Sequence, residues 1–236
     1  MSTEFLPYSG QDPDIVLTGK APARQGWATS EVDRIWAIAI EDSGANGHLF
    51  DGQALFVDSI GNLEISLFQL PYRFLYAQRR SPQLREQLNL RPIAVSGVCL
   101  SDGKMLLGVR SRSATQYPGF LELVPSGGLG DLGEHLDYKH RLIEELEEET
   151  SIARTSVIEI STIGICFDQE ENTYDLCCRI LLQDGLSLEQ TSSPKEEYSD
   201  LIWRDTGSLL AEKDGPEIVP TSLAIVEHLF KAARAI

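Results

Sequence analysis

Val124-Pro125-Ser126-Gly127-Gly128-Leu129-Gly130-Asp131-Leu132-Gly133-Glu134 leads towards Arg141-Leu142-Ile143-Glu144-Glu145-Leu146-Glu147-Glu148-Glu149-Thr150-Ser151-Ile152. From Asp131 to Thr150 the chain carries eight acidic residues and two basic ones, Lys139 and Arg141. At about 100° per residue, a helix over the second stretch gathers Glu144, Glu145, Glu148 and Glu149 on one arc. Leu142, Ile143, Leu146 and Thr150 fill the neighbouring arc. Like charges spaced four apart on a helix repel by a few tenths of a kcal/mol per pair, and solvated helices usually intersperse lysine. A hard cation held through carboxylate oxygens removes that repulsion, and Mg²⁺ also takes phosphate oxygens from a substrate. The plain alternative is a solvated acidic face. Ahead of the helix, Gly127, Gly128, Gly130 and Gly133 keep a loop free of side-chain bulk. Such a backbone turns sharply and can aim a carbonyl or amide at a ligand. Its plain alternative is an ordinary strand-to-helix connection. In this order, the two features point together to a cation and a phosphate.

Outward from this segment the signals alternate. Ile93–Leu100 and Met105–Arg110 read as strands around Ser101-Asp102-Gly103, a hairpin turn with a positive-φ glycine. Leu121–Val124 is a short strand. Val157–Phe167 and Tyr174–Leu182 are strands joined by the polar turn Asp168–Asn172, and Asp200–Trp203 is another, followed by a short helix near Leu209. Thr221–Arg234 places Leu223, Val226, Leu229, Phe230 and Ala233 on one helical stripe. On the N-terminal side, the first 26 residues read as an extended lead-in. A helix capped by Ser30 buries Val32, Ile35, Trp36 and Ile40. After a break at Gly44–Gly47, Ala54–Asp58 and Leu63–Phe68 form a hairpin around Ile60-Gly61-Asn62. Tyr72–Arg80 is helical and carries Arg73, Arg79 and Arg80. Pro82 and Pro92 punctuate the passage to the next unit. The reading is an α/β (α+β) chain in two parts, 1–90 a smaller α+β subdomain and 91–236 the domain with the acidic helix.

Composition narrows the function classes. With 36 Asp+Glu against 20 Lys+Arg, the 236-residue chain has a net charge of −16. Such a surface repels nucleic acid and anionic membranes. Hydrophobic residues make up 42% of the chain, enough for an ordinary globular core. Cys99, Cys166, Cys177 and Cys178 form no C-x-x-C pair, and three lie in apolar strand-like runs. They read as buried thiols rather than a disulfide framework or zinc site. The start lacks a basic segment followed by an apolar one, and no apolar run approaches the ~18 residues of a membrane span. The expected compartment is the cytoplasm.

The central segment resembles the box of the Nudix hydrolase superfamily, G-x5-E-x7-R-E-U-x-E-E-x-G-U, where U is bulky and apolar. Gly128 and Glu134 match its first half. Glu145-Leu146-Glu147-Glu148-Glu149-Thr150 and Ile152 match its second, and the similarity covers about 92–236. Three positions depart from the pattern. Nine residues separate Glu134 from Glu144 where the family has seven, Glu144 stands where the family has arginine, and Ser151 replaces a glycine. Arg141, three and four residues before Glu144 and Glu145, is placed to reach the same carboxylates from one turn earlier. The resemblance implies a Nudix-type mixed sheet between helices and a Mg²⁺-dependent (alternatively Mn²⁺-dependent) pyrophosphohydrolase. It implies Glu145, Glu148 and Glu149 as metal ligands and catalytic residues with Arg141, the metal being helped by the Gly128 carbonyl and an acid such as Glu170 from a later loop. Either Glu145 or one of Glu170 and Glu171 is the proton acceptor. Glu134 stabilises the loop or the helix start.

Arg110 and Arg112, beyond a strand beside the box, are candidates for binding substrate phosphates or are simply surface charge. Trp27, Trp36 and Trp203 are candidates for stacking on a base, though Trp36 also fits its helix core. The order Ile35-Trp36, Leu49-Phe50-Asp51, hairpin, Tyr72-Arg73 is similar to the Nudix branch that splits UDP-glucose and UDP-galactose, whose box also lacks the arginine. The expected partner is a small nucleotide, with a homodimer through the N-terminal part as a further candidate. A Nudix domain that senses a nucleotide without turning it over is the competing reading, since Glu144 and Ser151 depart from the box.

Overall fold

Two compact units emerge from a computed structural model that describes residues 3–8, 10–18, 21, 26–43, 49–114, 116–130, 137–186, 197–205 and 217–234. One comprises Met1–Asp12, Ala94–Gly128 and Asp137–Ile236, the other Pro13–Ile93 with Leu129–Leu136. The glycine break at 44–47, the helix near Leu209, the Trp27 side chain, the Phe230 and Ala233 side chains, and Gly133 and Glu134 lie outside the described residues.

The first unit is built on a sheet ordered β1-β9-β10-β5-β6-β11, with β7 paired to β6 and β8 to β5. Its strands are β1 (Thr3–Pro7), β5 (Ile93–Ser101), β6 (Lys104–Arg110), β7 (Leu121–Leu123), β8 (Ser126–Gly128), β9 (Val157–Asp168), β10 (Thr173–Leu182) and β11 (Tyr198–Asp205). Asp102 and Gly103 both take positive φ, 49° and 73°, so the β5–β6 turn has the form that Asp-Gly favours. Asp168 closes the β9–β10 turn by accepting the backbone N–H groups of Glu170 and Glu171 at 2.9 and 3.2 Å. Helices α4 (Tyr138–Thr150) and α5 (Pro220–Arg234) pack on this sheet, α5 against β1 and β9. Ile225 and Val226 of α5 share a buried cluster with Val98, Met105, Leu107, Leu121, Leu123, Cys166 and Cys177. All four cysteines are free and buried, as their apolar runs predict.

The N-terminal residues are more than a lead-in. Thr3–Pro7 adds β1 to the sheet edge, antiparallel to β9 from Thr3↔Asp168 to Pro7↔Gly164. Gly164 permits this approach, because a Cβ there would lie 2.5 Å from the Leu6 carbonyl oxygen.

The second unit holds β2 (Asp14–Leu17), β3 (Gln53–Ile60) and β4 (Glu64–Pro71) in the order β2-β4-β3, with β2 parallel to β4. Helices α1 (Gly26–Ser43), α2 (Tyr72–Arg80) and α3 (Pro82–Leu88) accompany it. Ala28, Val32, Phe56, Phe68, Phe74, Leu75 and Leu84 are among its buried core. Two details correct the sequence reading. Helix α1 starts at Gly26, ahead of Ser30, and Ile40 is 44% exposed rather than part of the core face. Helix α3 was not expected, yet its signals are local: Ser81 Oγ accepts the Leu84 N–H at 3.3 Å and Pro82 opens the first turn. Among the described residues, no helix is long and apolar enough to cross a membrane.

Helix α4 ends on Ser151 in the left-handed region, φ 58° and ψ 13°, where glycine is the unstrained residue. Ser151→Gly should therefore raise stability by about 1 kcal/mol, read as a higher urea midpoint at unchanged m-value. An unchanged or lowered midpoint contradicts the strain.

Candidate functional site

Helix α4 begins on Asp137, whose carboxylate accepts the His140 N–H at 3.0 Å. Its apolar face is sealed: Leu142, Leu146 and Thr150 are fully buried and Tyr138 nearly so. The acidic arc read in the sequence then divides in two. Glu145 and Glu149 lie on the side that turns under the surface, 8% and 2% exposed. The Glu148 side chain is 64% exposed, and Glu144 is partly so.

Gly127 explains how Glu145 can be buried. The glycines at 127 and 128 do not form a bend but a short strand, β8, paired with Val95 and Ala94 of β5. A Cβ on Gly127 would stand 2.1 Å from Glu145 Oε1, so the bare backbone leaves the place its carboxylate occupies. Gly128 is less constrained, with no atom within 4 Å of where its Cβ would be. Ser126 donates its backbone N–H to Glu149 Oε2 at 3.1 Å, and Glu149 Oε1 is buried without a hydrogen-bond partner among the described residues.

Arg141 lies where its spacing predicts. Its guanidinium meets Glu145 Oε1 at 2.5 Å and Glu144 Oε2 at 3.2 Å, and comes within 3.9 Å of Glu148 Oε1. A guanidinium from the preceding turn of the helix thus holds Glu144 and Glu145.

Two further acids crowd this helix, and the sequence reading missed both. Glu122 is buried in β7, where it accepts from Arg110 and from the Tyr198 hydroxyl, the latter at 2.9 Å. A charge in the middle of the apolar run Leu121-Glu122-Leu123 was the available signal. Glu197 precedes β11, and its charge acts on both Glu145 and Glu149. Burial lifts the Glu145 carboxyl to about 7, with Glu148 and Glu197 raising it and Arg141 holding it back. Burial lifts Glu149 further, to about 10, aided by Glu197, Glu145 and Glu122.

The remaining candidates fall elsewhere. Arg110 spends its fork inside the fold, on Glu122 and on the Gln116 carbonyl at 2.9 Å. That engagement turns a proposed phosphate contact into a brace for Glu122. Arg112 is exposed on the turn after β6. Glu170 is exposed on the β9–β10 turn, where its charge acts on Tyr117, while Glu171 accepts from Gln116 at 2.5 Å. In the N-terminal part, Asp51 accepts both the backbone N–H and the guanidinium of Arg73, at 2.9 and 3.0 Å. Trp36 is half-buried and packs edge-on to Tyr72 and Tyr76.

Among the described residues, no three imidazole, thiol or carboxylate groups stand ready as a chelating set. The donors nevertheless fit a hard cation in kind. Glu149 Oε1 is buried without a partner, and crowded oxygens raise one another's pKa until a positive charge joins them.

No protein-family model matches the chain, and no curated protein sequence matches it. Solved structures do. DR0079 from Deinococcus radiodurans aligns at TM-score 0.51 and 17% identity over 75% of this chain and 98% of its own. The NUDIX domain of Shewanella oneidensis NrtR, complexed with ADP ribose, aligns at TM-score 0.47 and 17% identity, over 60% and 87%. The bifunctional NMN adenylyltransferase/ADP ribose pyrophosphatase of Francisella tularensis aligns at TM-score 0.49 and 15% identity, over 67% and 45%. At such identities the likeness is one of fold. The mixed sheet with packed helices expected from the sequence is the fold observed.

A carboxyl whose pKa rises on folding binds more protons folded than unfolded. Its contribution to stability is full below 4.5 and is lost as pH climbs, through about 7 for Glu145 and about 10 for Glu149. In EDTA, thermal stability should fall between about pH 5 and pH 8. Glu149→Gln should flatten that fall and melt above the wild type at the upper end. A variant that melts lower throughout refutes the electrostatic burden assigned to Glu149.

Proposed function

We propose that this chain is a Mg²⁺-dependent Nudix pyrophosphohydrolase that splits the diphosphate of a nucleoside diphosphate joined to a second moiety. The observation that carries the reading is Glu149, nearly inaccessible, with one oxygen lacking a partner among the described residues, beside Glu145 on Gly127. Stability alone gives no reason to hold two carboxylates there, since an unpaired buried charge costs several kcal/mol. Glu145 and Glu149, with Glu148 and the Gly128 carbonyl, would hold the Mg²⁺. When bound, it supplies charge neutralisation on the diphosphate and a more acidic water.

Hydrolysis adds water across the P–O–P bridge: oxygen joins one phosphorus, the bridge breaks, and the water's proton passes to a carboxylate. Glu145, held against Gly127 by Arg141, is one carboxylate that would take that proton. Glu170 and Glu171 are the other acceptors this reading admits. Arg141 keeps the Glu145 carboxylate in place, the role the family gives its box arginine. In this reading 91–236 is the hydrolase domain and 1–90 the smaller subdomain.

The preferred substrate is a UDP-sugar, giving UMP and a sugar 1-phosphate. Its support is the N-terminal order of motifs and a box without arginine, to which the Asp51–Arg73 pairing adds a link between two of the motifs. A nucleotide sensor is the second reading, favoured by the lack of a preformed chelating trio among the described residues.

Purified protein should be incubated with Mg²⁺ and UDP-sugars, ADP-ribose, dinucleoside polyphosphates and NADH, and the products identified by chromatography. UMP from a UDP-sugar, suppressed by at least ~100-fold in Glu149→Gln, is the expected result. Turnover of another compound in the panel moves the substrate, and binding without turnover by any of them favours the sensor. Arg141→Ala should weaken both turnover and Mg²⁺ affinity. If neither changes, the guanidinium does not serve the site.

A further inference from the structure

Strand β10 carries a buried carboxyl that the proposed hydrolysis does not use. Asp175 is 7% exposed and accepts the Ser96 hydroxyl at 2.9 Å. Ser96 Oγ stands 3.3 Å from Ser126 Oγ, and the two serines are register partners across β5 and β8. Ser126 in turn gives its backbone N–H to Glu149. Four elements, β10, β5, β8 and α4, are thereby joined by one line of polar contacts.

The proton count gives the line a direction. Ser96 has one hydroxyl proton, and it is directed at Asp175 Oδ1. With that proton committed to Asp175, the Ser96 oxygen is left as an acceptor and Ser126 becomes its donor. The Ser126 side chain is thus pinned towards β5, with its backbone N–H left facing Glu149. Among the described residues no basic group offsets Asp175: Glu122 and Asp168 repel it, and the thiols of Cys166 and Cys177 lie in its field. Burial, opposed by the Ser96 hydrogen bond, lifts its carboxyl to about 7. An apolar residue would sit in this strand at lower cost, because a buried carboxyl with one hydroxyl partner is poorly compensated.

We infer that Asp175 is a positioning residue, which sets the Glu149 carboxylate for the cation through Ser96 and Ser126. The inference rests on the metal-dependent reading above. Asp175 touches neither substrate nor cation in this scheme.

Mn²⁺ is the probe, titrated into the full-length protein without substrate and followed by electron paramagnetic resonance, beside thermal melts. Ser96→Ala and Asp175→Ala should each weaken Mn²⁺ binding by about tenfold, the usual effect of losing a group that orients a ligand. The double variant should be no weaker than either single one, since both cut the same line. Asp175→Asn, whose amide oxygen still accepts from Ser96, should recover most of the affinity. A purely structural Asp175 would lower the melting temperature and leave Mn²⁺ affinity untouched. Wild-type affinity in folded Ser96→Ala, or additive losses in the double variant, overturns the inference while the metal-dependent reading stands. Failure of the wild type itself to bind Mn²⁺ removes both.

Discussion

The burial of one face of α4 is the constraint from which the site follows. Leu142 and Leu146 are wholly removed from water, and Tyr138 almost wholly. Each such side chain is worth ~1.5–3 kcal/mol. The half-exposed Arg141–Glu144 pair on the same helix is worth a fraction of that, about 0.2–0.5 kcal/mol for exposed i,i+3 partners. Packing therefore sets the rotation of the helix, and the charges adapt to it. Glu145 and Glu149, adjacent to the apolar stripe, are carried inward with it, while Glu144 and Glu148 stay out. One rotation makes two acids a cluster and leaves two at the surface.

The surroundings are shaped to accept what the helix imposes. Gly127 removes the side chain that would collide with Glu145, and the Ser126 N–H meets one oxygen of Glu149. Arg141 pairs with Glu145. Glu122 is itself held by Arg110 and Tyr198. Glu122, Glu145 and Glu149 each have a dedicated neighbour, and among the described residues one Glu149 oxygen has none. In the proposed function a cation would relieve the unfavourable electrostatics of such a site, as expected where function competes with stability.

Much of the architecture was legible along the chain. The β5–β6 turn, the β9–β10 hairpin, α2 and the C-terminal helix follow from Asp-Gly, alternation and 3.6-residue periodicity, all of them local signals. Arg141 was legible too, since a three- and four-residue offset places it on its glutamates whatever the helix packs against. Less legible was β1: five residues among Gly, Pro and Asp gain strand structure only from the edge of β9. Arg110 was misread for the same kind of reason. Its acceptors are Glu122 and Gln116, and strand pairing decides whether an arginine faces them or a ligand.

By itself, then, the sequence determined a helix with four acids on an arc, a glycine stretch without side-chain bulk, buried thiols and a mixed order of strands and helices. Those properties depend on residue type and short spacing, which the chain carries into any packing. Which acids are buried, how far their pKa values rise, and that Glu122, Glu197 and Asp175 join the neighbourhood were decided only by tertiary structure. Desolvation and through-space repulsion depend on what lies across a few ångströms, and residues 122, 149, 175 and 197 become neighbours only once the strands have paired.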